Sequence, residues 1–165
     1  MTVDDALSFF RDEQAVVQAL QPLNDVGLGY LQLGQPVPTL SGGEAQRLKL
    51  AAHLGKASTK SKKRRADEHL LFLFDEPTTG LHFNDISKLL IAFEQLIDNG
   101  HSLVVIEHNL DVINNADWII DLGPAGGDEG GKVIVKGTVQ KIMAHKTSAT
   151  AKALREYQDA ADKLA

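Results

Sequence analysis

Midway along the chain the hydrophobic pattern changes from helical periodicity to strands and helices in alternation, and this change limits the fold more than any other feature. Leu70 to Phe74 is a continuous apolar run of strand length. Ile86, Leu89, Leu90, Phe93, Leu96 and Ile97 then recur on one helical face, and Asn99-Gly100 supplies a C-cap signal. Ser102 to Ile106 reads as a second strand, Leu110 to Asn115 as a short helix and Asp117 to Leu122 as a third strand. Such alternation predicts an α/β fold with a parallel βαβαβ sheet and crossover connections. Val133 to Val135 adds a short strand at one edge.

The part before this sheet reads as helical. Thr2 followed by Asp5 resembles a capping box, and Ala6, Phe9 and Phe10 open an amphipathic helix. A second helix runs from Gln14 to Leu20 and stops at Pro22. From Asn24 to Pro38, Gly27, Gly29, Gly34 and two prolines predict a helical turn and then irregular chain. Ser41 opens a further helix, and beyond His145 an Ala- and Lys-rich terminal helix has little to anchor it. Four segments result: helical 1–55, a basic connector 56–69, an α/β region 70–145 and a terminal helix or tail 146–165.

Net charge is −5, yet six of the 17 basic residues lie between Lys56 and Arg65, where there is no acid. An acidic body with one basic loop argues against nucleic-acid binding over the whole surface. Lys56, Lys60, Lys62, Lys63, Arg64 and Arg65 read as a solvated connector. The other reading is contact with DNA phosphates; without an aromatic residue for stacking, it would be sequence-independent and salt-sensitive. Cysteine is absent, so disulfides and thiolate zinc sites are excluded within the chain. No apolar run could span a bilayer and no leader pattern opens the sequence, which predicts a cytoplasmic protein with no membrane partner.

Three constellations carry chemistry. In Leu40-Ser41-Gly42-Gly43-Glu44-Ala45-Gln46-Arg47, Ser41 occupies an N-cap position and Glu44 completes a capping box. Two glycines in a first turn cost helix propensity, so a second demand is expected: letting a phosphate approach the exposed amides. Ser-Gly-Gly-Glu alone fits an ordinary capped helix equally well. Asp75 and Glu76 stand at the carboxyl end of the first strand, where ligands gather in parallel α/β sheets. Asp75 would hold Mg²⁺ and Glu76 would act as general base toward water. His108 follows the second strand, where an imidazole could bond a γ-phosphate, although a lone histidine there is more often structural. Gly126 to Lys132 has the spacing of a phosphate-binding loop, but Val133 replaces the hydroxyl residue and a strand follows, so it reads as a glycine-rich turn.

The order Ser41-Gly42-Gly43-Glu44-Ala45-Gln46-Arg47, Asp75-Glu76-Pro77-Thr78-Thr79-Gly80-Leu81-His82, Val105-Ile106-Glu107-His108-Asn109 resembles the C-terminal part of the UvrA subunits of bacterial excision-repair excinucleases, which are ABC-type ATPases. Asp25 to Tyr30 and Ala116 to Pro124 extend the resemblance over most of residues 1–145. It implies a partial P-loop NTPase (ABC ATPase) fold whose N-terminal helical part is the signature region. Ser41, Gly42, Gly43, Glu44 and Gln46 look like the signature motif, Asp75 and Glu76 like Walker B and the catalytic glutamate, and His108 like the switch histidine. Gly80, Leu81 and His82 look like the loop that links two sites; transporter ATPases usually end that loop in Leu-Asp.

The implied cofactors are ATP and Mg²⁺, both shared with segments outside this chain. The implied partners are the P-loop half of the same ATPase, a second copy of the full-length protein, damaged double-stranded DNA and the other excinuclease subunits. In that family the P-loop lies far upstream, beyond inserted DNA-binding and zinc-binding segments. The expectation is therefore a piece of a longer protein, without its own Walker A and inactive alone. A transporter or drug-resistance ATPase and a non-enzymatic interaction module are the alternatives. The stretch from Ala57 to His69 looks longer and more basic than the family pattern, and the tail beyond His145 matches nothing in it.

Overall fold

The computed structural model of the chain describes residues 1–59, 69–124 and 130–163, the side chains of 56–59 and 83 excepted. Two compact units pack separately, residues 1–107 and 108–165.

In the first unit, α1 (Val3–Phe9) starts at the expected capping box of Thr2 and Asp5. The backbone of Val3 and Asp4 bonds back to Leu31 and Gly29, tying this end to the segment that precedes Ser41. Helix α2 (Gln14–Asp25) runs through Pro22 instead of stopping there. Proline removes one backbone donor and crowds the preceding turn, but packing outweighs this. Gly55 brings α3 so close that a Cβ on it would lie 3.3 Å from the Pro22 ring. A 3-10 turn (Val37–Thr39) leads to α3 (Gly42–Thr59), which takes in the first four residues of the expected basic connector. Residues 60–65 of the basic stretch lie outside the described residues.

Strand β1 (Leu71–Asp75), helix α4 (Phe83–Asp98) and strand β2 (Ser102–Ile106) form a parallel β-α-β unit, with Leu71 opposite Ser102 and Asp75 opposite Ile106. The core lies on one face of this sheet. Phe74 packs on Phe93 with ring centroids 4.9 Å apart. Val26, Leu28, Leu50, Leu54, Leu89, Ala92 and Leu96 are buried with them. Ile97, expected on the core face of α4, is exposed.

In the second unit the expected third parallel strand takes a different partner. Strand β3 (Ile119–Gly123) pairs antiparallel with β4 (Lys132–Gly137), with a bulge between Asp121 and Leu122. Residues 124–131 are all that separate β3 from β4, fewer than the dozen or so a parallel crossover needs, so only an antiparallel ladder is available. The rest is α5 (Leu110–Asn114), α6 (Val139–Met143) and α7 (Ala149–Asp162).

Helix α7 is anchored, contrary to expectation. Ala151 and Leu154 are buried against Val139 and Ile142. Buried Ser148 caps α7 by accepting from the Ala151 N–H at 2.9 Å and donates to Asp121 at 2.6 Å. Arg155 donates to the Met143 and His145 carbonyls at the end of α6, and the Tyr157 hydroxyl donates to Asp111.

Candidate functional site

The capping box read at Ser41 is present in the first unit. The Ser41 N–H donates to Glu44 Oε2 at 2.7 Å, and the Glu44 N–H donates to Ser41 Oγ at 3.3 Å. Glu44 also accepts the Tyr30 hydroxyl at 2.6 Å. That hydroxyl first, and the Ser41 amide second, hold the Glu44 carboxyl below its ordinary value. Burial and the bond to Glu44 push the Tyr30 phenol up.

The two glycines do different things. Gly42 is exposed, and a Cβ there would meet nothing within 4 Å among the described residues. Gly43 is buried: a Cβ would come within 3.2 Å of the Thr79 carbonyl and 3.3 Å of Arg47 Nη1. Gly43 thus has a reason inside its own chain, because the first turn of α3 lies against the turn that follows β1.

That turn carries the two acids. Asp75 ends β1 and Glu76 follows with φ +46°, a left-handed conformation that costs a non-glycine residue about 1–3 kcal/mol unless its surroundings hold it. The holding groups surround it. The Glu76 N–H extends the sheet ladder to the Ile106 carbonyl at 2.9 Å. Glu107, just past β2, accepts from both the N–H (2.8 Å) and the hydroxyl of Thr78. Gln46 brackets Asp75: its Nε2 donates to the Asp75 carbonyl at 3.0 Å and its Oε1 accepts the Asp75 N–H at 3.1 Å. Arg47, with no exposed surface, donates through Nη1 to the Pro77 carbonyl at 2.6 Å and the Thr79 carbonyl at 3.2 Å.

The remaining expected site residues sit beside this turn or in the second unit. Gly80 has φ +76°, and His82 caps α4 by accepting the Asn84 N–H at 3.4 Å. Leu81 rests against the turn at Gly27, where a Cβ would come within 3.0 Å of it. Ser41 to Gln46 and Asp75 to His82 are therefore one constellation within the first unit. His108 opens the second unit and is exposed.

Among the described residues, no three or more of His, Asp and Glu converge to hold a metal ion. Asp75, an exposed carboxylate at a strand end, still suits Mg²⁺, which takes one or two carboxylates and completes its shell with water and phosphate oxygens. Residues 126–129 of the glycine-rich run lie outside the described residues, and Lys132, which follows them, is the first residue of β4.

No family model matches the chain. Individual proteins do. UvrABC system protein A of Aquifex aeolicus is 54% identical over 157 residues, 95% of this chain. The protein of that name from Thermus thermophilus is 54% identical over 142 residues, 86% of the chain, and that from Bacillus subtilis 52% over 155 residues, 94% of the chain. The chain belongs to the UvrA family. It spans 14–16% of the length of these UvrA relatives. The crystal structure of UvrA2 from Deinococcus radiodurans matches 94% of the chain, and 18% of its own, with TM-score 0.76 and 41% identity. A bacterial Atm1-family ABC exporter with ATP bound matches 94% of the chain and 26% of its own with TM-score 0.53 and 20% identity, a likeness of fold alone. The fold is that of part of an ABC ATPase.

In this UvrA-family chain three working residues had no role from sequence reasoning. Tyr30 and Glu107 gave no signal in their own neighbourhoods. Arg47 did: Gly43, Arg47, Leu50, Ala51 and Leu54 share one buried face of α3, so helical spacing puts a guanidinium into a core. Buried arginines are rare unless paired, and this one pairs with carbonyls.

Proposed function

We propose that this chain supplies the signature and Walker B elements of a UvrA ATPase that couples ATP binding and hydrolysis to recognition of damaged double-stranded DNA. The observation that carries the reading is the Asp75-Glu76 pair at the carboxyl end of β1, held by the signature helix itself through Gln46 and Arg47. Ser41 and Gly42 open α3 at an exposed end whose amides suit the terminal phosphate of a nucleotide held by a different segment. Asp75 would take Mg²⁺, which when bound neutralises phosphate charge. Glu76 orients a water and takes its proton; His108 donates a hydrogen bond to the γ-phosphate. Gly80, Leu81 and His82, on the same turn as Glu76, link this centre to a second one. Glu44 and Gln46 serve the site from behind, since their side chains bond to residues of this chain.

A bare sheet face supports a P-loop half as partner. Leu71, Leu73, Val104 and Ile106 line the face of β1 and β2 opposite the core and are 52–70% exposed. Parallel sheets are normally covered on both faces, and an upstream segment carrying Walker A is the cover proposed here. The strand at Lys132, where a P-loop would require a helix, supports placing Walker A outside this chain. A dimer of the full-length protein, partner excinuclease subunits and a cytoplasmic location complete the reading.

The test is Glu76→Gln in the full-length protein. ATP binding should persist while steady-state hydrolysis falls by about 10²-fold or more; undiminished turnover would remove Glu76 as the base. Tighter binding of the full-length protein to lesion-containing than to intact duplex, at one stated salt concentration, would separate DNA repair from transport.

A further inference from the structure

We propose that Gln46 and Arg47 are positioning residues that make the conformation of the Glu76 turn depend on the position of the signature helix. This rests on the ATPase reading above and adds a route inside the chain from one motif to the other.

Three observations meet at the first turn and a half of α3. Gln46 grips both backbone groups of Asp75 with one amide, at 3.0 and 3.1 Å. Side-chain amides more commonly meet solvent or a single partner; here the geometry of a strand neighbour is copied by a side chain. Arg47 comes next and reaches past it to the Pro77 and Thr79 carbonyls with one nitrogen, while Nη2 meets the Tyr30 hydroxyl at 3.4 Å. Its Nε is buried and meets no hydrogen-bond partner among the described residues. The guanidinium is therefore held by the turn's carbonyls and the Tyr30 hydroxyl, so it is tied to the turn and cannot relax independently of it. Gly43 closes the gap: its missing Cβ lets the helix backbone lie against Thr79 and Glu76.

The consequence is mechanical. Residues 75, 77 and 79 of one turn are fastened to adjacent positions of one helix, with left-handed Glu76 between the fastenings. A shift of the Ser41 end of α3 on meeting a nucleotide must carry the Asp75, Pro77 and Thr79 backbone with it, or break these bonds. Glu76 then reaches its working position only when the signature helix is in its own. Gln46 and Arg47 touch neither nucleotide nor water in this scheme; they act through Glu76.

The experiment uses the full-length protein with Gln46→Met and Arg47→Lys, singly and together. Gln46→Met keeps length and removes both amide contacts; Arg47→Lys keeps charge and removes the fork. Each single variant should lower kcat for ATP by about tenfold or more while KM stays within about threefold, the signature of an interaction needed in the transition state and not for binding. The double variant should fall no further than the worse single one, because the two residues act as one unit. A Gln46→Met protein with kcat within about twofold of wild type overturns the proposal, as does a double variant whose losses multiply. If Arg47→Lys does not fold, Gln46→Met alone decides. Wild-type turnover shows that the ATPase reading holds, and an inactive Glu76→Gln control shows that Glu76 is its base; absence of wild-type turnover indicts the ATPase reading, and an active control overturns the route through Glu76.

Discussion

Glu44 shows how much one side chain is asked to do: it closes the capping box on Ser41 and accepts the Tyr30 hydroxyl. Both contacts favour its charged form, so the folded chain binds this proton more weakly than the unfolded one. The stability it contributes is fully present above the ordinary carboxylate value, about 4.3, and is lost as pH falls through the lowered folded value. Glu44→Gln should therefore flatten the acid limb of stability, read as a smaller drop in urea midpoint between neutral and acid pH; an unchanged limb would show that these contacts do not discriminate between protonation states. The glycines beside it show where local reading stops. Sequence pattern assigned both to an incoming phosphate; Gly42 keeps that freedom, whereas Gly43 answers to Thr79, a residue 36 positions away. Nothing near Gly43 in sequence announces that contact.

At the scale of elements, strands and helices with strong periodicity were legible. Strand β2 matches its expected span, β1 is shifted by one residue at each end, α5 ends one residue early, and the capping boxes at Thr2 and Ser41 are both present. The misread elements are those decided by distant partners. Pro22 sits inside α2 because Gly55 makes room for it, and β3 pairs antiparallel with β4 because the stretch between them is too short for a crossover. Helix α7 looked loose because its anchors are small or polar: Ser148 to Asp121, Ala151, Arg155 to the end of α6. Leu154, with no exposed surface, is its one large apolar anchor. Leu154→Ala should cost about 2–5 kcal/mol, and Ser148→Ala about 0.5–2 kcal/mol through the lost cap. Urea denaturation of the chain measures both, and a cost below about 0.5 kcal/mol for Leu154→Ala, the range of ordinary surface changes, would contradict a docked α7.

At the scale of the whole molecule, the sheet face of Leu71, Leu73, Val104 and Ile106 is the feature that a self-sufficient domain would not keep. The Ser41 end of α3 and the acids at the end of β1 belong to one constellation, yet the phosphate-holding part of an ATPase site is proposed to come from elsewhere. ATP hydrolysis compared between the 165-residue chain and the full-length protein measures this directly. The full-length protein should show saturable turnover and the chain alone none above buffer. Turnover by the chain alone, at a rate comparable with the full-length protein, would contradict it.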